Sequence, residues 1–292
     1  MASYFIVMAR LFPILLLYLP TLIVGTTPPS YSGFNQVWAD AFTYAAGVAP
    51  NSANWNIITG YLGVNAEWEE YTSSSANVQC SGGGTLQLVP WRDTSTTYGW
   101  TSGRVESKYT FTPTAGKVTR AEAEIRFGTN AIANKQGIWP AFWMLGDSLR
   151  HGGSWPACGE LDAMETIDGV LTGYGTAHCG TYPGGVCNEG TGIQGRVAIP
   201  DQSWHVWRVE WDRTSNNWQT ETIKWSLDGV VFQTITGSQL TQDTWTALCH
   251  SPVYFILNVA IGGTWPGYPN SATQDGYGSM MEIAYVSQYV QS

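Results

Sequence analysis

Short runs in which apolar and polar side chains alternate recur from Gly33 to Val290, separated by Gly, Pro, Asn, Asp and Ser. In Val118–Phe127 the charged set Arg120, Glu122, Glu124 and Arg126 interleaves with Thr119, Ala121, Ala123, Ile125 and Phe127. Gly103–Phe111 sets Arg104, Glu106 and Lys108 against Val105, Tyr109 and Phe111 in the same way. Successive side chains leave a strand on opposite sides, so a period of two marks a strand with one buried face. The pattern predicts further strands over Trp204–Trp211, Thr222–Leu227, Val230–Ile235, Tyr254–Ile261 and Met281–Val290, with Asp228-Gly229 as the tight turn of a hairpin. No long stretch carries the 3.6-residue period of a helix, and no 20–50-residue repeat is visible. Many short strands without α/β alternation predict an all-β chain, one antiparallel sandwich. About 250 residues is an ordinary size for such a domain.

The start of the chain breaks the pattern. Leu11–Gly25 is an apolar run preceded by Arg10, too short for the ~20 residues of a comfortable membrane span and interrupted by Pro13 and Pro20. Residues 1–25 are therefore expected to be a signal peptide, 26–32 a short Thr/Pro-rich linker and 33–292 a single domain; a retained signal anchor is the alternative. A secreted protein is expected, with no membrane partner once the signal is removed.

Composition narrows the choice of partner. Only 12% of residues are charged, the net charge is −9 and 13% are aromatic. Such a chain suits neither phosphate backbones nor anionic lipid, so no nucleic-acid partner is expected; it suits a neutral sugar. A monomer is expected. The five cysteines are Cys80, Cys158, Cys179, Cys187 and Cys249, an odd number that leaves at least one thiol unpaired or bonded between molecules. Cys179 and Cys187 enclose a Gly/Pro-rich loop and are the best local disulfide candidates.

Candidate chemistry concentrates in Gly159–Asp168, GELDAMETID, where Glu160, Asp162 and Glu165 crowd one predicted strand. Residues i and i+2 share a face, which unites Glu160 and Asp162 but sends Glu165 into the opposite layer. A lone Glu inside a sandwich core is costly, and one β-bulge between Asp162 and Glu165 would restore the parity. The glutamate carboxyls could then lean together to the ~5–5.5 Å used by retaining glycosidases. A solvated acidic edge is the bland alternative, but the flanks Trp155-Pro-Ala-Cys158 and Met164 are not those of a solvated face. If Asp168-Gly169 closes a tight hairpin, Glu165 faces Thr172 and Thr176 comes opposite Glu160. His178 then lies one diagonal step from Glu160. His151, His205 and His250 are expected to be structural. Trp139 and Trp143, four apart on the preceding strand, share a face if Pro140 leaves that strand regular.

GELDAMETID resembles the bulged E-x-D-x-x-E signature of glycoside hydrolase family 16, in its laminarinase-like branch. Six further segments match in order: Asn65–Tyr71, Gly82–Leu86, Thr101–Lys108, Gly137–Gly146, His205–Trp211 and Leu257–Gly267. The likeness spans about Gly33 to Val290, and the chain looks most similar to fungal secreted endo-1,3(4)-β-glucanases. The resemblance implies a concanavalin A-like jelly roll of two curved antiparallel sheets with an open cleft on the concave side. It implies a β-glucan partner, Glu160 as nucleophile, Glu165 as general acid/base and Asp162 as electrostatic support between them. It also favours His178, Trp139, Trp143, Trp265, Asn65 and Arg104 as sugar-binding residues. No cofactor is expected to be required. Many members carry a structural Ca²⁺ on the convex face; with no D-x-D-x-D-G loop in this chain, any such ion would use scattered carbonyls and one carboxylate. The alternatives are a cell-wall glucan transglycosylase, an inactive glucan-binding module on the same fold, and a structural sandwich without a ligand.

Overall fold

The computed structural model describes Met1 and residues 26–292; the expected signal peptide lies outside the described residues. Two large antiparallel sheets face each other. One has seven strands in the order Ile193–Ala198, Thr172–His178, Glu160–Glu165, Ile138–Gly146, Val253–Ile261, Arg104–Phe111, Trp55–Ile57. The other runs Val230–Thr236, Thr222–Leu227, His205–Asp212, Val118–Phe127, Met281–Gln291, Leu86–Leu88, Val78–Cys80, with Phe34–Asp40 also paired to Met281–Gln291. A third, three-stranded sheet that the sequence pattern does not announce joins Glu69–Tyr71, Trp100–Ser102 and Trp91–Arg92, and its first pair is parallel. No described helix is long and apolar enough to cross a membrane.

Alternation does the sorting. From Val118–Phe127, Thr119, Ala121, Ala123, Ile125 and Phe127 are buried. The charged set takes the opposite face, where three of its four members form cross-strand ion pairs, Arg120 with Glu210 at 2.8 Å, the buried Glu122 with Arg208 at 2.6 Å and Arg126 with Glu282 at 2.5 Å. Asp228-Gly229 closes the expected hairpin, with both residues at positive φ and Leu227 opposite Val230.

Between the sheets lie Phe142, Met144, Leu161, Trp207, Trp211, Trp225 and Phe255, all buried. Large indoles need space, and glycine supplies it. A Cβ on Gly173 would lie 2.3 Å from the Trp207 ring, and one on Gly175 2.6 Å from the Trp225 ring. Trp225 also donates its Nε1–H to the carbonyl of Asp162 at 2.9 Å, so the second sheet grips the backbone of the acidic strand.

Candidate active site

The Glu160–Glu165 strand sits between Thr172–His178 and Ile138–Gly146 in the seven-stranded sheet. Toward Thr172–His178, Glu160 pairs with His178 and Asp162 with Thr176, then the register slips by one and Glu165 pairs with Tyr174. The ladder to Ile138–Gly146 slips at the same place, with Trp143 opposite Asp162 but Phe142 opposite Met164. The surplus residue changes the parity: Leu161, Ala163 and Met164 all enter the core, while Glu160, Asp162 and Glu165 line one cleft.

The following connection differs from the simple hairpin. Ile167–Val170 does form a tight turn, closed by the Val170 N–H to the Ile167 carbonyl at 3.0 Å. The ladder does not resume directly, because the Thr166 hydroxyl donates to the Val170 carbonyl at 2.7 Å and Leu171 packs against the core. Glu165 thus faces Tyr174 rather than Thr172, and His178 is directly opposite Glu160 rather than diagonal to it. The offset is two residues, which preserves the face, so His178 stays beside the carboxylates. Pro140 leaves its strand regular: pairing with Val253–Ile261 is unbroken from Ile138 to Gly146, and Trp139 and Trp143 both border the cleft.

The cleft has two lobes of about 420 Å³ each, meeting at Asn65, Trp139, Trp155, Glu160 and Glu165. Arg104, Trp143, Asp162 and Asn258 line one lobe; Thr176, His178, Gln194, Arg196 and Trp265 line the other. All nine residues singled out in the sequence therefore border it. Trp139 donates its Nε1–H to Glu165 at 2.9 Å and meets Trp265 edge to face at 5.3 Å. Trp143 donates to Asn258 at 2.7 Å, with the Arg104 guanidinium 5.0 Å over its ring. Arg104 is itself held by Glu106 at 2.7 Å, and Asn65 donates to Glu67 at 3.0 Å.

Four contributors were not singled out in the sequence. Trp155 donates to Glu160 at 3.1 Å, Asn258 anchors Trp143, Glu189 holds His178, and Glu67 lines the cleft beside Asn65. Glu67 belongs to the matched segment Asn65–Tyr71, and Trp155 flanks the acidic strand, which is the signal each offered. Glu189 gave none.

Burial dominates the electrostatics. It pushes the Glu165 carboxyl up to about 7, against the opposing pull of His178 and of the Trp139 N–H. Glu160 is raised too, again by burial first, with His178 and the Trp155 N–H favouring its ionised form. Asp162 is raised well above the usual range by burial, then by its neighbours Glu165 and Glu160. Such a set holds one acid protonated beside an ionised partner near neutral pH.

Two groups of described donors converge closely enough to hold a cation: Glu160, Asp162 and His178, and separately Glu221, Cys249 and His250. In the second group Glu221 already accepts from Trp245 at 2.7 Å and Arg213 at 3.3 Å, so hydrogen bonds satisfy it. Cys179 and Cys187 are disulfide-bonded; Cys80, Cys158 and Cys249 are free and buried.

Residues 65–287 match the family model for glycosyl hydrolases family 16. The chain is 30% identical over 296 residues to glucan endo-1,3-beta-glucosidase A1 of Niallia circulans, covering 91% of this chain but only 39% of that protein. It is 28% identical to a beta-glucanase of Rhodothermus marinus, covering 87% of this chain and 84% of the relative. Among solved structures, the endo-1,3-beta-glucanase from Streptomyces sioyaensis superposes with a TM-score of 0.85 at 40% identity, covering 91% of this chain and all of the other.

Proposed function

The chain belongs to glycosyl hydrolases family 16, and on that footing we propose that it is an endo-β-glucanase cleaving β-1,3 or mixed β-1,3-1,4 glucans with retention of configuration. The observation that carries the proposal is the bulge that sets Glu160, Asp162 and Glu165 on one face of an open cleft. In the first step a Glu160 carboxylate oxygen attacks the anomeric carbon while Glu165 delivers its proton to the departing glycosidic oxygen. The C–O bond breaks, a glycosyl ester forms on Glu160, and Glu165 is left as a carboxylate. In the second step that carboxylate takes a proton from water, the water oxygen attacks the anomeric carbon, and Glu160 leaves. Two inversions return the original configuration. Asp162, between the two glutamates, opposes the build-up of charge on Glu165 before the first step. Indole faces at Trp139, Trp143 and Trp265 offer apolar platforms for sugar rings, and Asn65 and Arg104 offer donors to hydroxyls.

The Cys179–Cys187 disulfide suits an oxidising compartment, in keeping with a secreted monomer acting on extracellular polysaccharide. The test is reducing-sugar release from laminarin and barley β-glucan by the purified protein. Release by the wild type and none by Glu160→Gln supports the proposal; release from neither glucan by the wild type overturns it.

A further inference from the structure

Glu189 is a loop residue, yet its side chain is completely shielded from solvent. Both carboxylate oxygens are committed. Oε2 lies 2.7 Å from His178 Nδ1, and Oε1 accepts the Cys179 backbone N–H at 2.7 Å. The loop that carries it is closed twice, by the Cys179–Cys187 disulfide and by backbone pairing of Glu189 with Gly184. A carboxylate on Nδ1 fixes that nitrogen as a proton donor, which leaves Nε2 to face the cleft. Nε2 lies 3.5 Å from Asp162 Oδ2, a buried oxygen with no hydrogen-bond partner. The Trp155 ring, 5.8 Å from the imidazole, packs beside His178, and a Cβ on Gly192 would come within 2.8 Å of His178 Cε1.

We propose that Glu189 is a positioning residue of the hydrolytic centre, acting through His178 on Asp162 and the two glutamates, and that the disulfide-closed loop holds it there. The proposal rests on the glucanase reading of the cleft. Charged groups reach His178 from every side: Asp162, Glu160 and Glu165 from the acidic strand, Glu189 from the loop, and Arg196 from Ile193–Ala198, which lines the same lobe. Burial works against a charged imidazole; the hydrogen bond to Glu189, then the charge of Glu160, outweighs it, and the net direction is upward. A charged His178 in turn is the largest influence holding both Glu160 and Glu165 down. Removing the Glu189 charge therefore weakens the imidazolium and lets Glu165 titrate at higher pH, whereas at Glu160 the loss of direct repulsion from Glu189 opposes that rise.

The experiment compares wild type with Glu189→Gln, which keeps the shape and the acceptor for Cys179 N–H, and with a Cys179→Ser/Cys187→Ser double variant. Two readouts are taken: the His178 ring titration followed by NMR, which needs no substrate, and the pH profile of kcat/KM on laminarin. In Glu189→Gln the His178 titration is expected to fall by about one pH unit or more, the scale of losing one close charge partner. The basic limb of the profile, set by Glu165, should move to higher pH, with KM changed less than threefold. The double variant should show the same direction with a smaller shift. A purely structural Glu189 would lower the amplitude and the thermal midpoint but leave the titration and the basic limb in place, and that result overturns the proposal. If the protein lacks glucanase activity while the His178 titration still falls, the functional reading fails and the Glu189–His178 link stands.

Discussion

At the scale of single residues, one protein environment has to make two glutamates differ. Glu165 is pushed up to about 7 chiefly by burial, and it must be protonated to act as an acid. As pH rises through about 7 that acid form is lost, so kcat/KM is expected to fall above neutrality and to form the basic limb of a bell. Glu165→Gln should cost about 10²–10⁴ on substrates with poor leaving groups and recover on an activated aryl glycoside that needs no proton, where the basic limb should vanish. No recovery would point to another acid. The same raised pKa has a cost in stability. Between the ordinary carboxyl range and about 7 the folded state keeps a proton that the unfolded chain releases, so this contribution falls as pH rises through that window. At 1.36 kcal/mol per unit the loss reaches up to about 3 kcal/mol above pH 7. Glu165→Gln should therefore melt above wild type at pH 8 and near it at pH 4; a variant less stable than wild type at pH 8 would contradict the assignment.

At the scale of elements, the bulge ties side-chain parity to chemistry. Ala163 and Met164 are adjacent and both pack into the core between the sheets, which the alternating faces of a regular strand forbid. Deleting Ala163 leaves Met164 on the core side with the three carboxyls still aligned, and some hydrolysis should survive. Inserting a residue after Ala163 drives Glu165 toward the core or forces a second bulge. Activity should disappear and chemical denaturation should show a loss of several kcal/mol, the scale of a buried unpaired carboxylate. An insertion variant with near-wild-type turnover would mean that Glu165 does not need that face. The bulge was legible in the sequence because three acids at that spacing have no regular solution. The register of the next strand was not, because it depends on the Thr166 hydroxyl and on Leu171 finding the core, which are tertiary facts. Glu189 escaped for a similar reason: its path to His178 exists only once the loop is closed.

At the scale of the whole molecule, the seven strands that alternation delimits agree with the structure to within a residue or so, since the pattern follows the face each turns to the core. What it missed is the small third sheet and the strands Trp55–Ile57, Val78–Cys80 and Leu86–Leu88, all of two or three residues and too short to show a period, together with Phe34–Asp40 and Ile193–Ala198, which bury too little of either face to mark one. The two large sheets are held apart by indoles seated over glycines. Gly175→Ala, which puts a methyl against Trp225, should lower stability by about 1–3 kcal/mol in a denaturant titration, and a neutral outcome would contradict this account of the packing. Because Trp225 also holds the Asp162 carbonyl, the same variant should lower kcat more than it raises KM. The central claim, that Glu160 and Glu165 share one cleft and act by double displacement, is tested most directly by the anomeric configuration of the first products from laminarin, read by NMR before mutarotation. The β-anomer is predicted; an initial α-anomer would contradict the account.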